Sequence, residues 1–205
     1  MRTEMEPAAR EGLLDAILVE LAEKGYSGAA LADVLVFSGV SEADFAAEFG
    51  DKDACLFAAY EQLTERLTRA VTQGCGGGAE WPARVRLGLG ALLEELAARP
   101  ALAQVLIRSF PSIGPKAQAR YQAFVEGLAP LLGGGREFSG MGAELPGEVE
   151  MLAVGAAEAI VFDEIDAGRA ERLPELGPAI LFSVLVPFLG PEAASGAMEG
   201  AKQAS

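Results

Sequence analysis

The sequence predicts an all-α protein, and three observations carry that expectation. Apolar residues return at intervals of three and four along most of the 205 residues. No stretch alternates apolar and polar side chains with the period of two that a half-buried strand requires. Glycine or proline stands where each periodic run stops.

The elements follow in order. Between Ala8 and Lys24, Leu13, Leu14, Ile17, Leu18 and Leu21 share one helical face, while Glu11, Asp15, Glu20 and Glu23 lie elsewhere on it. Gly25 ends this first helix. A short second helix is read near Ala30 to Phe37, and Gly39-Val40 makes a tight turn. Ser41 then caps a third helix, Glu42 to Phe49, which carries Phe45 and Phe49. Asp51 is the N-cap of a fourth helix that continues through Leu56, Tyr60, Leu63 and Leu67 to about Gln73. Gly74 to Gly78 break it.

Further helices are read at Trp81 to Ala98, Ala101 to Phe110 and Pro115 to Leu132, divided by Pro100 and by the turn from Pro111 to Gly114. Gly133 to Gly147 reads as a mobile loop. Two long helices close the chain, Glu148 to Ala167 and Pro174 to Leu189, and Glu192 to Ser205 reads as a frayed tail.

Composition narrows the function. The chain is 51% hydrophobic and 22% charged, which suits one large or two small helical domains. Its formal net charge is -14, so a generic attraction to nucleic acid or to an anionic membrane is opposed by the protein's own field. The first 53 residues hold Arg2, Arg10, Lys24 and Lys52 against twelve carboxylates, a balance of -8. There is no histidine, which excludes a serine triad and a histidine-zinc site. No catalytic residue, metal ligand or cofactor is assigned, and the chain is not read as an enzyme. Cys55 reads as packing and Cys75 as an exposed reduced thiol. The N-terminal MRTEMEPAAREG has no apolar signal segment. The longest apolar run, Ala179 to Leu189, is interrupted by Ser183 and Pro187 and is short for a bilayer. The expectation is a soluble, cytoplasmic protein with no membrane partner.

The last helix is apolar nearly all round, and such a helix must be covered on every side. A second copy of the chain is the natural cover, and Gly155, Ala156 and Ala159 on the preceding helix permit close approach. The expected homodimer interface comprises these three residues with Ile180, Val184 and Phe188. The alternative is that the last helix is the centre of a monomer core.

Residues 25 to 53, GYSGAALADVLVFSGVSEADFAAEFGDKD, have the layout of a helix-turn-helix. With the helix before it, the stretch resembles the TetR family of bacterial one-component repressors. Ala22, Gly25, Tyr26, Gly39, Val40, Ser41, Phe45, Phe49, Lys52 and Leu56 stand at family-typical spacing, and DAGRAERLPELGPAILFSVLVPFLG resembles the family's C-terminal domain less specifically. The resemblance implies a three-helix reader over residues 1–50. It also implies a six- or seven-helix ligand-binding and dimerisation domain over residues 51–205, with palindromic operator DNA and a largely apolar small-molecule effector as partners.

On this sequence the implied DNA contacts are Ser41, Glu42, Ala43, Asp44, Ala46, Ala47, Glu48 and Lys52. The chain departs from the family at the positions that touch DNA: Ala29 and Ala30 replace a capping hydroxyl, Ala32 and Val36 stand where a basic residue is common, and Leu35 and Phe37 make the surface more apolar. Losing about five cationic contacts removes several decades of affinity at physiological salt. Alanines on thymine methyls and a carboxylate on cytosine can still specify bases, without supplying the bulk attraction.

The implied effector pocket lies in the C-terminal bundle, with Phe57, Tyr60, Phe110, Tyr121, Phe124, Met151, Glu158 and Phe162 as candidate lining. Glu158 falls among Met151, Val154, Phe162 and Ile165 on a helical wheel, a carboxylate on an apolar face. It reads as a polar anchor for an effector, or as the partner of an arginine such as Arg108, or as a carboxylate at a dimer rim. By the resemblance, an effector shifts the linking helix Asp51 to Gln73 and with it the spacing of two readers. Two functions are carried: a homodimeric regulator whose operator binding is relieved or altered by an effector, and a TetR-like dimer that has lost DNA binding and serves as a ligand-binding or protein-interaction module.

Overall fold

The computed structural model describes residues 5–77, 80–140 and 144–202, with side chains described to Met198. Among these residues every regular element is helical. The chain forms two compact units, residues 1–65 with 101–120 and residues 66–100 with 121–205.

In the first unit, α1 (Pro7–Gly28) buries Leu13, Leu14, Ile17, Leu18 and Leu21, each at most 2% exposed. Each such burial contributes about 1.5–3 kcal/mol relative to exposure. Gly25 interrupts α1 at φ 67°, a conformation that strains any side chain with a Cβ, and one further turn carries the chain to Gly28. Helices α2 (Leu31–Ser38) and α3 (Glu42–Glu48) follow, then α4 (Lys52–Cys75), which runs through the unit boundary. Asp51 accepts from the Ala54 amide at 2.8 Å, the cap that the sequence predicts.

The stretch expected as one helix from Ala101 to Phe110 is two pieces. α6 (Pro100–Gln104) passes into a wide π turn over Val105–Ser109, where the Phe110 amide reaches the Val105 carbonyl at 3.0 Å. Phe110 lies flat on Tyr60, with centroids 3.7 Å apart and planes 8° from parallel, and Phe57 meets it edge-on. α7 (Pro115–Glu126) is shorter than expected, and a separate 3₁₀ turn covers Ala129–Leu132.

The second unit is built on α5 (Trp81–Ala98), α9 (Val149–Asp166) and α10 (Leu173–Lys202). Three expectations need correction there. The glycine-rich segment after Gly133 holds a short helix, α8 (Gly134–Phe138), seated against the Trp81 indole; Met141 to Ala143 lie outside the described residues. Glycine is required at 135 because a Cβ would come within 2.6 Å of both Trp81 and Phe188. Arg136 fastens the segment, donating to Glu150 and to the carbonyls of Leu145, Pro146 and Gly147.

The tail is not frayed from Glu192 onward: α10 bends at Gly190 (φ 74°) and continues, with Ala194 fully buried. By length and composition α10 is also apolar enough to cross a membrane, which the broken run Ala179 to Leu189 did not suggest. Its Leu173, Ile180, Leu181, Val184, Leu185 and Phe188 are core residues of the second unit. Cys75, third, is half-buried rather than exposed, packed where Gly88 leaves room, and burial pushes its thiol pKa up. Cys55 is buried packing as expected, its thiol pushed up to about 12 by desolvation.

Candidate functional site

The turn between α2 and α3 forms as its residues dictate. Gly39 adopts φ 71° and its amide closes on the Leu35 carbonyl at 2.9 Å. Ser41 caps α3 by accepting from the Asp44 amide at 3.1 Å, and its hydroxyl donates to the Asp44 carboxylate at 2.6 Å. Phe45 is the one buried residue of α3, and Val40 of the preceding turn is also buried. Ser41, Glu42, Ala43, Asp44, Ala46, Ala47 and Glu48 are all exposed. Seven of the eight residues expected at a DNA surface thus share one small exposed region, and its only charges are carboxylates.

Lys52, the eighth, is placed differently. Its ammonium donates to the carbonyls of Tyr26 at 2.9 Å and Ala29 at 3.1 Å, and stands 4.4 Å from the centre of the Tyr26 ring. The carbonyls belong to the irregular last turn of α1 and to its C-cap residue, acceptors that the helix does not satisfy. The Tyr26 hydroxyl in turn donates to Asp53 at 2.7 Å, and that bond raises its pKa.

The other described cations near α2 and α3 are likewise engaged. Arg10 donates to Glu48 at 3.1 Å and lies over the Phe49 ring. Lys24 contacts Asp33 at 2.8 Å and Glu20 at 2.7 Å; the Asp33 bond raises the lysine pKa, and the same bond holds the aspartate below the usual carboxylate range. Arg2 lies outside the described residues. On α2, Val36 is 84% exposed and Phe37 80%, the most exposed large apolar side chains described. Helical spacing alone did not separate these two from the core-facing Val34, which is 2% exposed.

The candidate effector residues divide between the units. Phe57, Tyr60 and Phe110 belong to the first, where Tyr60 and Phe110 are fully packed and the Tyr60 hydroxyl donates to the Leu106 carbonyl at 3.4 Å. Desolvation raises the Tyr60 pKa. Tyr121, Phe124, Met151, Glu158 and Phe162 belong to the second. Two of these meet directly: the buried Tyr121 hydroxyl donates to the half-buried Glu158 carboxylate. Within the second unit, a tyrosine is thus a partner of Glu158. Of the wheel around Glu158, Val154 and Ile165 are buried, while Met151 and Phe162 are each 37% exposed.

The residues expected at a dimer interface also divide. Ile180, Val184 and Phe188 are buried within the chain itself, Phe188 edge-on to Trp81 with centroids 5.1 Å apart. Ala156 and Ala159 are exposed and Gly155 is half-buried, on a helix that also exposes Leu152 at 65%.

No protein-family profile matches the chain, and no curated protein matches it. Among solved structures it is similar to the fatty acid degradation regulator FadR from Bacillus halodurans, with a TM-score of 0.75 and 17% identity over 89% of this chain and 97% of that one. At that identity the likeness shows the fold alone: an all-α arrangement shared over nearly the whole of both chains.

Proposed function

We propose that the chain is a homodimeric, cytoplasmic transcriptional regulator of TetR-like build whose operator binding is relieved or altered by a small, largely apolar effector. The supporting observation is the preserved reader geometry, Gly39 in the left-handed turn and Ser41 capping α3, within a fold similar to a known regulator over 89% of its length. Residues 1–50 are the reader and residues 51–205 the effector and dimer domain. Tyr121 and Glu158, with Phe124, Met151 and Phe162, are the effector-facing group: a hydrogen-bonded carboxylate among apolar side chains suits a ligand with one donor and an apolar body. Dimer contacts come from the exposed strip of α9 through Gly155, Ala156 and Ala159, beside α10. Because α4 belongs to both units, a shift of its C-terminal half is the route by which an effector alters the reader.

A second reading has its own observation. Arg10, Lys24 and Lys52 are all held by carboxylates or carbonyls, and the exposed face of α3 is acidic. A dimer with this face and no DNA affinity acts as a ligand-binding or protein-interaction module. One measurement separates the two: binding to duplexes from around its own gene at low and moderate salt. Binding with a salt-dependent affinity supports the regulator, and none at low salt overturns it.

A further inference from the structure

We propose that the face formed by α2 and α3 docks a protein partner, a basic amphipathic segment that sets an apolar side chain on Val36 and Phe37 and directs Lys or Arg toward Glu42 and Asp44. This rests on the second reading, in which α3 takes no DNA.

The apolar pair comes first. Val36 and Phe37 are 84% and 80% exposed at the end of an eight-residue helix whose core contact is made by Val34. An aromatic and a β-branched side chain held outward on a rigid element form the centre that protein interfaces use as an anchor. The acids are near by covalent necessity. Four residues separate Phe37 from Glu42, so their Cα atoms, five steps apart, lie within about 18 Å. A standard interface covers about 800 Å² on each partner, which takes in both.

Charge then selects the occupant. Four basic residues face twelve acidic ones in the first 53 positions, and Glu42 and Asp44 are exposed on α3. Phosphates of a duplex and headgroups of an anionic membrane are repelled by such a rim. A basic protein segment is attracted by the acids and desolvates the apolar pair, the arrangement in which charges raise the encounter rate and the anchor supplies affinity.

The test is an NMR titration of the full-length ¹⁵N-labelled protein with three probes. One is a synthetic Leu/Lys amphipathic peptide of about 18 residues, long enough to hold a helix; the second is its Glu-for-Lys counterpart; the third is a random-sequence duplex at about 50 mM salt, where nonspecific DNA binding is strong. The expected result is that the basic peptide alone shifts amides of α2 and α3, and that Phe37→Ser weakens it by about tenfold or more, as truncation of a central anchor does. Because Phe37 is exposed, that variant keeps the fold, and unchanged amide shifts elsewhere verify it. Peptide binding indifferent to Phe37→Ser, or shifts outside α2 and α3, overturns the docking proposal. Silence with all three probes overturns docking while leaving the loss of DNA binding intact. Shifts of α3 with the duplex overturn the reading beneath it as well.

Discussion

Arg10 of α1 donates to Glu48 of α3 at 3.1 Å, so a basic residue beside α3 is held by one of that helix's own acids. Its guanidinium also lies over the Phe49 ring, 5.6 Å from its centre. A family-like reader would aim such a charge at phosphate; here the sequence places its neutralising partner within the same module.

Glu48→Gln releases that guanidinium. Both side chains are about a third exposed, so the ion pair contributes less than about 1 kcal/mol and the fold is retained. If the reader touches DNA, the variant binds random duplex more tightly, and its salt slope steepens by about one unit for each further phosphate neutralised. Fluorescence anisotropy across a salt series measures both quantities, and an unchanged affinity argues that α3 does not approach the backbone.

Lys52 makes a structural prediction opposed to its expected phosphate contact. Lys52→Met removes the donor to the Tyr26 and Ala29 carbonyls and the contact with the Tyr26 ring. The expected cost is about 1–3 kcal/mol of stability, because two part-buried acceptors lose their partner. Urea unfolding of the two proteins checks it; full stability with weakened DNA binding identifies Lys52 as a phosphate ligand instead.

Tyr121→Phe leaves the Glu158 carboxylate half-buried without its donor. A loss of about 1–2 kcal/mol is expected, and Glu158→Gln, which keeps an acceptor for the phenol, costs less. For an identified effector, calorimetric titration tests the anchor role: unchanged affinity in Glu158→Gln rules it out.

Glu150 sets an acid limit on the second unit. The Arg136 guanidinium, 2.6 Å away, holds its carboxyl below the usual carboxylate range. A carboxylate with a depressed folded pKa stabilises the fold above its ordinary value, and that stabilisation is lost as pH falls through the lower folded value. Wild type is therefore expected to exceed Glu150→Gln in stability at neutral pH, with the gap closing below about pH 4. Chemical unfolding at a series of pH values reads the gap directly; a constant difference refutes the linkage.

Gly135→Ala forces a Cβ to within 2.6 Å of Trp81 and Phe188, both buried. Neither ring has a flexible end to yield, so about 1–3 kcal/mol of overpacking strain is expected. Trp81 is the single tryptophan, and its emission reports the displacement without a label. Gly140→Ala, at φ 65° with open space around it, separates backbone strain from collision.

Much of the fold was legible because helix identity is a local property. The face Leu13, Leu14, Ile17, Leu18 and Leu21 is buried as its spacing requires, and Ser41 and Asp51 cap where their hydroxyl and carboxylate can reach amides three residues on. Trp81 to Ala98 is helical between the bounds read from its flanking residues. The glycine-rich stretch after Gly133 misled for a physical reason: glycine signals freedom in isolation, whereas Gly134 and Gly135 are there to let Trp81 lie on the backbone. The π turn at Val105–Ser109 has no periodic signature over five residues, so the stacking of Phe110 on Tyr60 was invisible in the pattern.

By itself the sequence determined that the chain is helical, where most helices start and stop, which framework residues build the helix-turn-helix, and that its exposed face is acidic. These follow from propensity, period and charge within a few residues of each position. Only the tertiary structure decided that Arg10 meets Glu48, that Lys52 closes on Tyr26 and Ala29, and that Tyr121 finds Glu158. Those partners lie 38, 26, 23 and 37 residues apart, beyond the reach of any local pattern. Which charge is free and which is held is settled by packing, and on that depends what the acidic face can bind.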